Sequence, residues 1–226
     1  QAKRRVISLD LPGFGLTGPF PDGDYRMAHY SVFLSHVLDQ LRVPRAVVAG
    51  NSFGGQLAWQ FALDHPQRVE RLVLVDAAGY PRNATSIPIG FRLAQIPALA
   101  PLMANLLPRQ MIEASIRNVY GDPDKVSDEL IDRYYELTLR AGNREALRQR
   151  FIQAEAGQSY NRIAELKVPT LIIWGGRDEL IPPVNAERFK RDIKGSRLVL
   201  FDELGHVPQE EDPARTVAVL MGFLEG

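Results

Sequence analysis

Apolar residues gather in five short runs, Arg5–Leu9, Ala46–Ala49, Leu72–Val75, Thr170–Trp174 and Arg197–Phe201, most of them rich in branched side chains. Turn-forming sequence follows most of these runs, which read as strands. Between them the periodicity changes. Asp24–Leu41 places Val32, Phe33, His36, Val37 and Leu41 at helical spacing, and Phe53–Leu63 and Pro213–Leu224 read as further helices. Strands that are apolar on both faces and alternate with helices predict an α/β chain, with a mostly parallel central sheet covered by helices on each side. Residues 77–166 break the alternation. They hold helical segments such as Ser127–Ala141 and Arg144–Ala156 but no strand-like run, and Pro81, Pro88, Pro97, Pro101 and Pro108 punctuate their first half. The predicted organisation is therefore a core of residues 1–76 and 167–226, with a helical insertion of residues 77–166 over the C-terminal edge of the strands.

A length of 226 residues suits one such core. The 27 basic and 27 acidic side chains cancel, which argues against a nucleic-acid partner, because phosphate binding needs a basic excess. The absence of cysteine removes disulfides, thiolate nucleophiles and Cys-ligated metals, and no metal-ligand spacing stands out. The most apolar stretch, Ile87–Leu107, is interrupted by Arg92 and three prolines and makes a poor membrane span. The compartment is open, cytoplasmic by default, and so is the oligomeric state.

The chemistry concentrates at Gly50-Asn51-Ser52-Phe53-Gly54-Gly55, between a predicted strand and a predicted helix. A serine on a sharp strand-to-helix turn is lifted above the sheet. Small residues two before and two after it keep the turn clear, and the next backbone N–H faces a developing oxyanion. Composition predicts roughly 0.06 chance occurrences of Gly-x-Ser-x-Gly in a chain of this kind, so position gives the motif its weight. A serine hydroxyl needs a base, usually a histidine steadied by a carboxylate. His29, His36 and His65 lie on helical stretches and read as surface or packing residues. His206 follows the last strand, at the edge where a parallel sheet places functional side chains. Asp178 follows the strand Thr170–Trp174. Asp76, just past Leu72–Val75, is a second candidate for the orienting carboxylate, and Glu179 a weaker third.

These segments, with Asp10-Leu11-Pro12-Gly13-Phe14-Gly15, Gly175-Gly176-Arg177-Asp178, Gly205-His206 and His65-Pro66-Gln67-Arg68-Val69, resemble the α/β-hydrolase family over almost the whole chain outside the insertion. The resemblance implies Ser52 as nucleophile, His206 as base and then acid, and Asp178 as the group orienting His206. It further implies the Phe53 backbone N–H as an oxyanion donor, residues 77–166 as a helical cap, and no metal or organic cofactor. Family members usually begin with further strands and a His-Gly loop that supplies a second oxyanion donor. None precedes Ser52, so the N-terminal strands of the fold are expected to be missing and the sequence incomplete at its start.

The leading expectation is hydrolysis of a small-molecule carboxylic ester, or a related acyl substrate, through an acyl-enzyme, with Ile87–Leu107 as candidate pocket lining. The alternative is cleavage of a carbon–carbon bond in a vinylogous diketone, the product of aromatic ring fission. Hydrolases of that type share Gly-Asn-Ser-Phe-Gly-Gly but commonly carry an aromatic residue after Gly-His, where this chain has Val207. A non-catalytic binding protein on the same fold is the reading of a different class.

Overall fold

The computed structural model describes residues 4–81, 96, 107–154 and 159–226. The Ile87–Leu107 run lies outside them apart from Ile96 and Leu107, as does the last part of the predicted Arg144–Ala156 helix. Four strands, β1 (Ala46–Asn51), β2 (Val69–Val75), β3 (Thr170–Gly175) and β4 (Arg197–Phe201), form a parallel sheet in the order β1-β2-β3-β4. Its register pairs Asn51 with Val75, Val75 with Ile173 and Ile173 with Val199, so the strands reach one common C-terminal rim.

Side chains alternate across the strands, as the period of two requires. Leu72, Leu74, Ile172 and Trp174 enter the larger core, which they share with Tyr30 and Leu34 of α1 (Met27–Gln40) and Trp59 and Phe61 of α2 (Phe53–Asp64). Val73, Val75, Leu171 and Ile173 point the other way. There they meet Val219, Leu220 and Phe223 of the C-terminal helix Pro213–Glu225. Burial of Leu72–Val75 in β2 and of all of β3 explains the continuous apolar runs in the sequence.

Between β2 and β3 the described residues are helical: α3 (Arg109–Val119), α4 (Asp128–Thr138) and α5 (Asn143–Gln153). After β3 come α6 (Val184–Asp192), then α7 (Pro208–Glu211) beyond β4, and α8 (Pro213–Glu225). Ser127 caps α4, its hydroxyl accepting the Leu130 N–H at 3.2 Å. Ile116, Tyr120, Val126 and Ile131 form a small core of their own with Val207, from the loop after β4.

One predicted strand is not formed. Arg5–Leu9 runs extended but pairs with no strand among the described residues, and Val6 is 85% exposed. A strand is defined by its ladder, and an apolar run with no neighbour leaves its N–H and C=O groups to water. This segment is tethered by side chains instead, Arg4 to the Leu224 carbonyl and Arg5 to that of Leu41.

Candidate active site

Ser52 links β1 to α2 with φ 54° and ψ −117°, a region that side chains other than glycine seldom occupy. The turn is held from three directions. The Ser52 N–H donates to Val75 O at 3.0 Å, and the Ser52 carbonyl accepts from Gln56 at 3.0 Å and Ala78 at 2.9 Å. The steric demand falls partly elsewhere than predicted. A Cβ on Gly50 would collide with the Gly54 carbonyl, and one on Gly55 would lie 2.5 Å from Ala77 Cβ, whereas one on Gly54 would meet open space. The glycine three residues after Ser52, not two, is the one the packing needs.

Asp178 and His206 come together from the loops after β3 and β4. His206 Nδ1 lies 2.7 Å from Asp178 Oδ2, with both side chains almost fully buried. The other oxygen, Asp178 Oδ1, accepts the Leu180 and Ile181 N–H groups, each at 2.9 Å. This network assigns the proton to Nδ1 and leaves Nε2 as the lone-pair nitrogen. Nε2 is buried and has no hydrogen-bond partner, so Ser52 Oγ is not bonded to it here. The elbow and the histidine loop nonetheless touch: Asn51 Nδ2 donates to the His206 carbonyl at 2.9 Å and to Val75 O at 3.1 Å. The sequence reading assigned Asn51 no role; its polar side chain beside the nucleophile was the available signal.

The histidine loop is also tied to the helices between β2 and β3. The His206 N–H donates to Val119 O at 2.7 Å. The Glu211 carboxylate bridges the Gly205 N–H at 2.7 Å and the Gly121 N–H at 2.9 Å, while Arg177 donates to the Gly121 carbonyl at 3.2 Å. The approach is close enough to require glycine on both sides, since a Cβ on Gly121 would sit 2.5 Å from the Gly205 nitrogen.

Phe53 opens α2, where no helical carbonyl can reach its N–H and the helix dipole is positive. Its ring stacks on Phe14 at 5.8 Å and meets Tyr30 edge-on at 5.1 Å. The Arg150 guanidinium of α5 lies over it, 4.6 Å from the centroid. The remaining candidates lie elsewhere. His29 faces Asp22 and Asp24, His65 packs on Phe61, and His36 and Glu179 are exposed.

Asp76 joins the cluster. It is fully buried after β2 with φ 42°, and its Oδ1 accepts the Gly175 N–H at 2.9 Å. Asp76, Asp178 and His206 each bring a ligand-type atom within 4.8 Å of the others. Both Asp178 oxygens and the His206 Nδ1 are already engaged, so hydrogen bonding accounts for the grouping without an ion. Burial and the neighbouring Asp178 charge hold the Asp76 carboxyl well above the usual carboxylate range. Burial also raises Glu211.

Comparison with known proteins agrees with this architecture. A family model described as alpha/beta hydrolase fold matches residues 1–213. The chain belongs to the alpha/beta hydrolase family. It is 31% identical over 227 residues to a protein of Pseudomonas putida named 2-hydroxymuconate semialdehyde hydrolase, covering 98% of this chain and 77% of the relative. Among solved structures, a meta-cleavage product hydrolase from Pseudomonas fluorescens IP01 superposes with a TM-score of 0.80 at 28% identity, covering 96% of this chain and 78% of the other. A thermophilic esterase from Thermogutta terrifontis does so at 0.78 and 25% identity, with the same coverage.

Proposed function

We propose that the chain is a serine hydrolase that cleaves a carbon–carbon bond in a 2-hydroxy-6-oxodienoate-like compound, the alternative rather than the leading expectation from the sequence. The observation that carries the serine chemistry is the 2.7 Å Asp178–His206 bond, which leaves His206 Nε2 unbonded in a loop whose His206 carbonyl is held by Asn51, the neighbour of Ser52 on the strained elbow. Ser52 Oγ attacks the keto carbon of the substrate as Nε2 takes its proton, and the Phe53 N–H stabilises the oxyanion. Cleavage takes place on the keto tautomer of the substrate, formed as the 2-hydroxyl proton moves to the carbon next to the ketone: the bond between that carbon and the attacked one breaks, and the conjugated 2-oxo acid takes up the electron pair as an enol with the proton returned by His206. Water activated by the same nitrogen then releases the acyl group from Ser52. Residues 77–166 act as the cap.

Two observations favour this substrate class. The relatives named above act, by their names, on such ring-fission products. Arg150 also places a cation over the ring of Phe53, the residue after Ser52, and a carboxylate-bearing dienoate would gain more from such a charge than a neutral ester would. Ester hydrolysis is the second reading. It is favoured by the esterase of similar fold and by Val207, which is buried against Ile116 and Tyr120 where the carbon–carbon hydrolases commonly carry an aromatic residue.

Steady-state assays on a 2-hydroxy-6-oxodienoate and a p-nitrophenyl ester decide between the two. Ser52→Ala should lower turnover of both by roughly 10⁴-fold or more with the fold intact, and a fluorophosphonate should label the wild type alone. Retained turnover or no labelling overturns the serine mechanism and favours a binding protein. Arg150→Ala should raise KM for the dienoate by about 10–100-fold, a loss of the size expected for a charged hydrogen bond, and that for the ester by much less. Equal effects on both, with the ester the better substrate, would favour the esterase.

A further inference from the structure

Asp76 is not required by the mechanism above, yet its position is costly. It has one of the three positive-φ backbones among described non-glycine residues, and Ser52 has another. Its carboxyl is fully buried and points at the pair formed by Asp178 and His206. The two aspartates are not equally provided for. Asp178 receives three hydrogen bonds, two from backbone N–H groups and one from His206. Asp76 receives one, from the Gly175 N–H to Oδ1, while Oδ2 is buried with no donor. An anion needs donors at both oxygens, and two adjacent buried carboxylates do not both ionise. The charge therefore belongs on Asp178. Asp76 Oδ2 must be a hydroxyl, and the Asp178 carboxylate is the acceptor within reach.

We propose that Asp76 is a positioning residue of the site: its neutral carboxylic acid donates a hydrogen bond from Oδ2 to the Asp178 carboxylate, and so governs how strongly Asp178 supports a protonated His206. Every element around it fits this role. β3 supplies the Gly175 N–H, the loop after β3 the Asp178 carboxylate and the loop after β4 the His206 imidazole. The Glu211 carboxyl of α7 adds a further negative field, and Gly55 of α2 packs against the neighbouring Ala77. A proton held on Asp76 draws electron density from Asp178. The imidazolium that forms during turnover is then supported less strongly, so it gives its proton up to the leaving group without being over-stabilised. The burial that raises the Asp76 carboxyl is consistent with the same assignment.

The proposal rests on the triad reading, and its test separates the two. Difference infrared spectra at neutral pH, wild type minus Asp76→Asn, should show the C=O stretch of a protonated carboxylic acid. The same band should appear when both chains carry Ser52→Ala, so it does not depend on turnover. In kcat/KM–pH profiles, Asp76→Asn keeps a donor and adds no charge, so its acid limb should stay within about 0.3 pH units of wild type. Asp76→Leu removes the donor and should move that limb up by about 0.5–1 unit. A carboxylate band in place of the acid band overturns the proposal. So does an acid limb that drops by a unit or more in Asp76→Asn, because that would mean a negative charge had been removed. A folded Asp76→Leu chain with an unshifted limb also overturns it, leaving Asp76 a purely structural partner of Gly175. Should Asp76→Leu not fold, the infrared band and the Asp76→Asn profile decide.

Discussion

Gly50 and Gly54 sit symmetrically about Ser52 in sequence but not in space. A methyl group on Gly50 runs into the Gly54 carbonyl, whereas one on Gly54 finds open space at the start of α2. Gly50→Ala is therefore expected to cost roughly 2–3 kcal/mol, or about 5–10 °C of Tm in a chain of this size, together with most of the activity. Gly54→Ala should stay within about 3 °C. Differential scanning calorimetry with a turnover assay checks both, and equal effects would mean that the elbow is set by something other than this contact. The positions of Ser52, Asp178 and His206 were legible because each occupies a recognisable local context: Ser52 on a turn, Asp178 and His206 just past strands. Of the three carboxylates weighed, the one bonded to His206 is Asp178. What Asn51 and Glu211 do could not be read, since each also bonds a distant backbone group, 155 residues away for Asn51 and 90 for Glu211, and no local pattern encodes such pairings. Asp76 stood in the sequence as an alternative to Asp178. The folded chain makes it a companion.

The same division holds for elements. β1 to β4 were visible as apolar runs because the central strands are covered on both faces, and β4 matches its predicted bounds to the residue. Arg5–Leu9 has an equally strand-like composition and failed, because pairing depends on a neighbouring strand rather than on the run itself. Helix ends shifted by up to three residues; at the start of α4 the shift is one residue, because Ser127 caps the helix rather than opening it. The seam that joins α3 to the histidine loop includes a backbone bond and two glycines in mutual contact, besides the Glu211 bridge. Neither hydropathy nor charge could announce those backbone contacts.

For the molecule as a whole, the notable charges are internal. The 27 acidic and 27 basic side chains cancel, yet Asp76 and Glu211 carry raised pKa values from burial. A carboxyl that is raised in the folded state keeps its proton while the unfolded chain releases it. Its contribution to stability is complete below the unfolded value, 3.8 for Asp76 and 4.5 for Glu211, and fades as pH climbs through the folded value. The lowered carboxyls, Asp24, Glu145, Asp192 and Glu203, oppose this below the ordinary carboxylate range. They pair with arginines near the surface, where solvent screens them. Thermal unfolding should therefore show a maximum near pH 5 and a falling Tm toward pH 8. Asp76→Asn should flatten that decline and melt higher than wild type at pH 8. A Tm that rises steadily over this interval would contradict the assignment.

The amide hydrogen of His206 is spent on a carbonyl of α3, and the next contact along that seam leaves no room for a side chain at position 121 or 205. The helices between β2 and β3 are thus no interchangeable accessory. Any lineage or engineer exchanging them for others to change substrate must carry over the stretch from Val119 to Gly121 unaltered, or His206 loses its footing before a new substrate is ever met.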